Sequence, residues 1–372
     1  MNQSVYTSSA SDVKALIKAQ LELLWRQPEL SLQAAPLMLW GAPGVGKSTV
    51  VRELCRELDI QFIDIRLAQR EPVDLRGLPV PKDDHVDWLL AGEWPRDSKS
   101  RGIILFDELS AADRTLQAAA YEIILDRRLG DLYRLPDGWL VMGAGNRLGD
   151  RAVAQSFSSA LANRFCHLEM EADVDQWCAW AQQRGLHSDV LGFLKFAPEH
   201  FFNMSHNTER GWPSPRSWER VAHFLQQAER SKLTPQQQRL MVSGLIGDGA
   251  AVPFFGFREV SAELPDIEAM LDGQQAVVIP TRNDAKFALC SGVVFHLWRD
   301  KAKIKQRLQV FFELSLKLSS DFATMLMLDA MRNGDTMDEQ RANKLFSHTQ
   351  YPAWTAIHGQ QFAQALGQGV MA

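Results

Sequence analysis

The stretch GAPGVGKSTV at residues 41–50 constrains the fold more than any other part of the chain. Its pattern Gly41-x-x-x-x-Gly46-Lys47-Ser48 fits the phosphate-binding P-loop signature in full. Glycines let the backbone curl until successive N–H groups point inward and form an anion nest, and the helix that follows adds the positive end of its dipole. The stretch therefore predicts a phosphate site at a junction between a strand, a loop and a helix.

The residues around this loop supply both flanking elements. The apolar run at 36–40 predicts a strand that ends at the loop, and the spacing of apolar residues over 47–58 predicts a helix. In such a loop Lys47 reaches the β- and γ-phosphates, and the hydroxyl of Ser48 ligates Mg²⁺. The predicted nucleotide-binding residues are Gly41, Pro43, Gly44, Val45, Gly46, Lys47, Ser48 and Thr49.

Two adjacent carboxylates, Asp107 and Glu108, follow the apolar run GIILF at 102–106. Charged groups at the end of a buried strand are costly unless a cation or a reacting water needs them. Ligands collect at the carboxyl ends of parallel strands, which is also where a P-loop lies. Asp107 is therefore predicted to complete the Mg²⁺ shell with Ser48, and Glu108 to polarise an attacking water as a general base. A polar strand end that merely faces solvent is the alternative.

Three polar residues beyond these motifs are further catalytic candidates. Asn146 ends the strand-like run before it, where a carboxamide can orient a water near a γ-phosphate. Arg164, with its permanent charge, suits an arginine finger offered to the nucleotide of a neighbouring subunit. Arg216 follows the helix-start signal Ser214-Pro215, and a cation in a first turn opposes the helix dipole unless both face an anion. The alternatives are a turn asparagine and two surface arginines.

Strand-like and helix-like segments alternate up to about residue 170. This alternation is typical of an α/β fold, with a parallel sheet covered by helices on both faces. The predicted strands lie at 36–40, 61–67, 102–108, 138–146 and 164–170. The predicted helices of this part lie at 11–27, 47–58 and 113–128, the last ending at Gly130.

The periodicity is helical over most of the remaining chain, including segments at 283–298 and 301–334. We predict three domains: an α/β nucleotide-binding domain at 1–170, an α-helical lid at 171–260 and a helical extension at 261–372.

The composition of the chain disfavours several classes of function. The net charge of −5 provides no bulk attraction for nucleic acid or anionic membrane. The basic cluster at 299–307 is predicted to be a solvated face. The four cysteines, Cys55, Cys166, Cys178 and Cys290, are scattered and predicted to be reduced core thiols. Neither a leader peptide nor a run of about 18 apolar residues is visible, so we expect a cytoplasmic protein without a membrane span.

In this order, five features of the chain resemble the motifs of AAA+ ATPases. Gly41–Ser48 resembles Walker A, Ile104–Glu108 Walker B, Asn146 sensor 1, Arg164 the arginine finger and Arg216 sensor 2. Within that class, the stretches DLRGLPV and LFDELSAADRTLQAAAYEIILDRRLG are similar to the MoxR branch, which resembles dynein-related ATPases. The resemblance covers about residues 10–260.

The resemblance implies a hexameric ring with ATP and Mg²⁺ at each subunit interface, where Arg164 acts in trans and Arg216 in cis. Members of the branch often carry LDRF where this chain has LANRF, so Arg151 is a second candidate for the finger. The resemblance also implies a protein client, chaperone activity and a partner with a von Willebrand factor A domain. Insertions are expected at about Leu75–Trp94, which we expect to contact the client, and at Arg128–Trp139.

Three other functions remain open at this stage. A nucleic-acid motor or loader would share the fold, although the acidic balance disfavours it. A nucleotide-gated scaffold without catalysis would not need Glu108. A small-molecule kinase would need neither the long helical lid nor Arg164.

Overall fold

The structure is a computed structural model that describes residues 7–150, 157, 162–204, 210–228, 231, 233–333 and 336–370. The chain divides into two compact units, Met1–Ala172 (unit 1) and Asp173–Ala372 (unit 2). The predicted domain boundaries, including the division between a lid and an extension, stay predictions.

Unit 1 contains an α/β sandwich and two small hairpins. Its strands are β1 Thr7–Ser8, β2 Leu37–Trp40, β3 Gln61–Arg66, β4 Leu78–Pro81, β5 Val86–Leu89, β6 Gly102–Asp107, β7 Arg128–Leu129, β8 Tyr133–Arg134, β9 Trp139–Gly145 and β10 Cys166–Met170. Its α-helices are α1 Ala10–Arg26, α2 Lys47–Glu57, α3 Pro72–Arg76 and α4 Arg114–Tyr121.

Six of these strands form one parallel sheet in the order β1-β10-β2-β9-β6-β3. The interior strand β6 has a continuously apolar sequence because both of its faces are buried. Ile103 and Leu105 pack in the cluster that includes α1 and α2, whereas Ile104 and Phe106 pack in the cluster that includes α4. A strand that alternates between two dry layers needs apolar side chains on both faces. The predicted α/β fold with a covered parallel sheet is confirmed.

Helix α1 illustrates how local signals and packing agree. Ser9 and Asp12 form a capping box at its start, which satisfies backbone N–H groups that the helix leaves open. Its apolar stripe of Val13, Ile17, Leu21 and Leu24 is fully buried. Burying side chains of this size contributes about 1.5–3 kcal/mol each. The predicted helix at 11–27 is confirmed.

The predicted helix at 113–128 is too long. Asp113 caps α4, but the α-helix ends at Tyr121 and continues as a π-helical turn over Glu122–Asp126. Arg127 then adopts a left-handed conformation with φ 55° and, although 5% exposed, donates to the carbonyl of Pro136. That buried contact turns the chain into the hairpin β7–β8, which occupies part of the predicted insertion at 128–139.

A second hairpin lies inside the predicted insertion at 75–94. Strands β4 and β5 pair antiparallel, with Leu78 opposite Leu89 and Pro81 opposite Val86. Among the described residues, this sheet has only these two strands.

Unit 2 is helical in its described parts. Its helices are α5 Val174–Gln183, α6 Ser188–Phe196, α7 Pro215–Ala228, α8 Pro235–Ile246, α9 Asp248–Ala262, α10 Ile267–Leu271, α11 Asn283–Leu297, α12 Ile304–Lys317, α13 Ser320–Met331, α14 Glu339–Phe346 and α15 Tyr351–Val370. Strands β11 Arg332–Asn333 and β12 Thr336–Met337 pair antiparallel. The segment predicted to be helical at 301–334 contains two helices, because extended backbone at Leu318 and Ser319 separates α12 from α13. No described helix is long and apolar enough to cross a membrane.

Two predictions about individual side chains are corrected. Arg307, expected on a solvated face, is 0% exposed, and its guanidinium donates to Asp272 at 2.7 Å and Glu268 at 2.8 Å. A buried guanidinium needs such partners, and carboxylates distant in sequence provide them. Cys166 is exposed, whereas the other three cysteines are buried as expected.

Candidate active site

The strand order brings three sequence motifs to one edge of the sheet. Strand β9 lies between β2 and β6, so the chain just after Gly145 stands between the end of β2 and the end of β6. The loop after β2 carries the P-loop, the end of β6 carries Asp107 and Glu108, and Asn146 follows β9. The carboxyl edge of a parallel sheet is where ligands bind in open α/β folds.

The loop between β2 and α2 has the backbone that its glycines predict. Gly44 and Gly46 have φ of 80° and 105°, in the left-handed region that disfavours other residues. A Cβ at Gly41 would lie 2.5 Å from the carbonyl oxygen of Met170, so no larger residue fits there. The N-terminus of α2 follows directly, and the first N–H groups of a helix and its positive dipole end are suited to a phosphate.

Lys47 is the buried cation of this loop, with 8% of its surface exposed. Its ammonium donates to the carbonyl of Gly41 at 2.6 Å and to Oδ1 of Asn146 at 3.0 Å. The predicted phosphate lysine and the predicted sensor asparagine are thus in direct contact. Of the remaining predicted loop residues, Val45 is buried, Pro43 is half-buried and Thr49 is exposed.

Ser48 and Asp107 form the second contact between motifs. The Ser48 hydroxyl donates to Oδ2 of Asp107, across 59 positions of sequence. Mg²⁺ prefers hard oxygen ligands and binds proteins through one or two such groups plus waters and substrate phosphates. A hydroxyl and a carboxylate side by side fit that requirement. Within the described residues no cluster of three or more His, Cys, Asp or Glu side chains forms a complete protein cage for a metal.

Glu108 stands on a tight turn that its neighbours hold in place. Its φ is 57°, unusual for a residue with a side chain, and its N–H donates to Oδ1 of Asp107 at 2.9 Å. The N–H of Leu109 donates to the carbonyl of Ala144 at 2.9 Å, and that of Ala111 to the carbonyl of Glu108 at 2.8 Å. Strained backbone of this kind persists only where its surroundings define it fully. The half-buried Glu108 side chain therefore starts from a fixed backbone position.

Ser110 is a site residue that the sequence analysis missed. It is 0% exposed, its hydroxyl donates to the carbonyl of Asn146 at 3.2 Å, and it accepts from the N–H of Asn146 at 3.1 Å. A Cβ at Gly145 would lie 2.6 Å from this hydroxyl, and one at Gly143 would lie 2.8 Å from Leu109. The alternating glycines of β9 let the Glu108 turn press against the strand. They are the sequence signal that could have predicted the contact.

A second missed network surrounds Arg147. Its backbone N–H and guanidinium bind Asp150, which is 7% exposed, and the guanidinium also approaches Glu169 at 3.4 Å. Burial lowers the pKa of Arg147, but the two carboxylates outweigh burial and leave that pKa above its ordinary value. The network ties the residue after Asn146 to β10 and so restricts the position of Asn146.

The predicted arginines lie in three different parts of the chain. Arg164 is exposed in the turn before β10, and Arg216 is exposed in the first turn of α7 in unit 2. Arg151 lies outside the described residues. The roles of these arginines stay predictions.

Residues 37–168 match the profile of the ATPase family associated with various cellular activities (AAA). The match spans β2 to β10 and includes the P-loop, the carboxylate pair and Asn146. This part of the chain is therefore similar to an AAA ATPase domain, and the similarity supports ATP binding and hydrolysis in general. It does not single out the MoxR branch.

Similarity to solved structures is weak. A point mutant of RuvB from Thermotoga maritima has a TM-score of 0.37 at 17% identity, over 70% of this chain and 75% of that chain. A proposed ATPase from Cytophaga hutchinsonii has a TM-score of 0.31 at 15% identity, over 80% of this chain and 86% of that chain. No curated protein matches this chain significantly. Nothing about function follows from likenesses of this strength.

Proposed function

We propose that this chain is a MoxR-like AAA+ ATPase that hydrolyses ATP with Mg²⁺ to remodel a protein client. One observation carries the proposal: two contacts join three separate motifs at the end of the sheet. Lys47 donates to Asn146, and Ser48 donates to Asp107, the residue next to Glu108. Each is a residue type that positions or activates part of a phosphoryl-transfer reaction.

In this proposal each residue has a defined task. Lys47 and the N–H groups of the loop bind the phosphates, and Ser48 and Asp107 hold the metal ion, which neutralises developing charge. Glu108 accepts a proton from the attacking water, and Asn146 orients that water. The presence of Glu108 on a fixed turn favours hydrolysis over the role of a scaffold that only binds nucleotide.

The assembly and partners belong to the same proposal. Arg164 is the finger offered to the neighbouring subunit of a ring, Arg216 senses the γ-phosphate of its own subunit, and the partner carries a von Willebrand factor A domain. The support is the exposure of both arginines and the presence of hairpins β4–β5 and β7–β8 within the insertions expected for the MoxR branch.

The test of hydrolysis is Glu108→Gln. Loss of a general base is expected to lower kcat by about 10²–10⁴-fold while ATP still binds, because the phosphate-binding groups are untouched. The matched control is Glu29→Gln, which changes an exposed carboxylate of unit 1 that lies outside every motif. A wild-type chain that binds ATP but never hydrolyses it, alone or with added DNA, would refute the proposed activity. Hydrolysis that needs DNA would favour the nucleic-acid motor.

The test of trans catalysis is the ATPase rate per subunit against protein concentration. A rate that climbs and saturates is expected if Arg164 completes the site of a neighbour. Arg164→Ala should abolish the climb, and mixing it with Lys47→Ala should restore part of the activity. No restoration in such mixtures would count against the trans role.

A further inference from the structure

The hairpin β4–β5 has two edges of opposite character. Lys82 donates its N–H to the carbonyl of His85 at 2.8 Å, so this pair is hydrogen-bonded. In an antiparallel ladder, hydrogen-bonded and non-hydrogen-bonded pairs alternate. The pairs Pro81 with Val86 and Pro79 with Trp88 are therefore the non-hydrogen-bonded ones, whose backbone polar groups point away from the partner strand.

The sequence of β4 leaves its outer edge without backbone N–H groups for a further strand. Both of its outward positions are prolines, Pro79 and Pro81, which have no N–H to donate. Proline on an exposed edge is one of the devices by which proteins prevent strand addition.

The outer edge of β5 is open. Its outward N–H and C=O groups belong to Val86 and Trp88, and no third strand pairs with it in the part of the chain that the structure describes. Val86, Trp88 and Leu89 are 51%, 46% and 62% exposed. An apolar strand with unpaired backbone groups is a template for another extended chain.

Charge selects the kind of chain that can pair there. The turn and β5 together carry Asp83, Asp84 and Asp87 against the single lysine Lys82, and all four are exposed. Two copies of β5 pairing with each other would bring these acidic groups together, which is unfavourable. An apolar strand that carries basic residues would meet complementary charge.

We propose that β5 binds an extended, apolar and basic segment of the protein client as a third strand. This inference rests on the proposed function, because it names the class of client segment that such an ATPase would engage. Main-chain hydrogen bonds to Val86 and Trp88 would supply sequence-tolerant affinity, and the exposed side chains and acidic turn would supply selectivity.

The experiment uses the full chain and a fluorescein-labelled eight-residue peptide that alternates valine and lysine, with binding followed by fluorescence anisotropy. Val86→Pro removes one outward N–H and is expected to weaken binding by about tenfold or more, whereas the matched variant Val86→Thr, which keeps the N–H, should stay within about threefold. A Val-Glu peptide should bind more weakly than the Val-Lys peptide. Equal effects of Val86→Pro and Val86→Thr, or equal binding of the two peptides, would overturn the proposal.

A second probe does not depend on how the hairpin tolerates proline. The same Val-Lys peptide, N-methylated at alternate residues, keeps its side chains but cannot complete a ladder. Wild-type protein should bind it at least about tenfold more weakly. Equal affinity of the protein for the two peptides, or absence of binding to either, would overturn the inference. A smaller assembly of Val86→Pro than of wild type in sedimentation would also overturn it, because the edge of β5 would then pair with a second copy of the chain. ATPase assays on the same samples separate the two proposals: peptide discrimination without hydrolysis refutes only the proposed function, and hydrolysis without discrimination refutes only this inference.

Discussion

Ser110→Ala tests whether the serine behind the carboxylate pair positions the residues proposed to be catalytic. The hydroxyl bridges the N–H and the carbonyl of Asn146 from a fully buried position. Alanine keeps the Cβ and fills nearly the same space, so the change removes one oxygen and its two hydrogen bonds. The direct contact of Asn146 with Lys47 is left in place.

The magnitude follows from the two groups that lose a partner. A polar group left unsatisfied in the interior costs about 1–3 kcal/mol. If the cost of one of these two groups appears as displacement of Asn146 in the transition state, kcat falls by about 5- to 150-fold, since 1.36 kcal/mol is a factor of ten. KM for ATP should change by less than about threefold, because the phosphate-binding loop is not altered.

The assay combines steady-state ATPase kinetics with equilibrium binding of a fluorescent ATP analogue. Ser31→Ala is the control: Ser31 is also buried in unit 1 and donates to Asp137 at 2.9 Å, but it lies outside the site motifs. It should lose stability without losing kcat. A double-mutant cycle with Asn146→Ala then isolates the coupling, because Ser110→Ala should have little further effect once Asn146 is gone.

Two results would refute this reasoning. A kcat of Ser110→Ala within twofold of wild type would mean that the bridge does not position a catalytic group. Additive losses in the double variant would mean that Ser110 acts by a route other than Asn146, for example through the Glu108 turn alone.

Three further predictions concern stability and accessibility. Asp329→Ala should cost about 3–5 kcal/mol of unfolding free energy, because it leaves the buried ammonium of Lys195 without its carboxylate. The exposed control Glu313→Ala should stay within about 0.5 kcal/mol in the same denaturant titrations. Ellman's reagent should titrate one thiol quickly in the native protein, that of Cys166, since burial raises the pKa of the other three to about 12; four fast thiols would contradict this. Burial lowers the pKa of His358 below its ordinary 6.5. On acidification this histidine is therefore protonated at a higher pH in the unfolded chain than in the folded chain. Its contribution to stability is therefore complete above pH 6.5 and lost as the pH falls below it, and His358→Gln should flatten the stability profile between about pH 7 and 5.

Much of unit 1 could be predicted from sequence because its signals are local. The apolar runs of β2, β6 and β9 are short and continuous, and glycine or polar residues end each one. Gly44 and Gly46 of the loop adopt left-handed backbone, which glycine reaches without steric cost. These features depend on a few neighbouring residues, so they survive without knowledge of the tertiary structure.

The errors occur where distant residues decide the outcome. The helix predicted to reach residue 128 stops early because Arg127 finds a buried carbonyl at Pro136. Arg307 is buried because carboxylates at 268 and 272 come within reach. Neither contact can be predicted from the spacing of apolar residues in the local sequence.

Residue types and their positions along the chain are enough to name the residues that could perform phosphate chemistry at this site. Lys47, Ser48, Asp107, Glu108 and Asn146 were all named from their types and from their places at strand ends. Chain connectivity and the hydrophobic pattern are enough for that, because a parallel sheet gathers strand ends on one edge.

How those residues are held in place follows from contacts between distant segments of the chain. Because β9 lies between β2 and β6, the side chain of Asn146 contacts the ammonium of Lys47. The glycines of β9 leave room for Ser110, which lies behind the turn at Glu108. The two edges of the β4–β5 hairpin likewise differ only once the register assigns Pro79 and Pro81 to outward positions. Such contacts depend on register and packing between segments far apart in the chain, and these long-range terms do not appear in any short window of sequence.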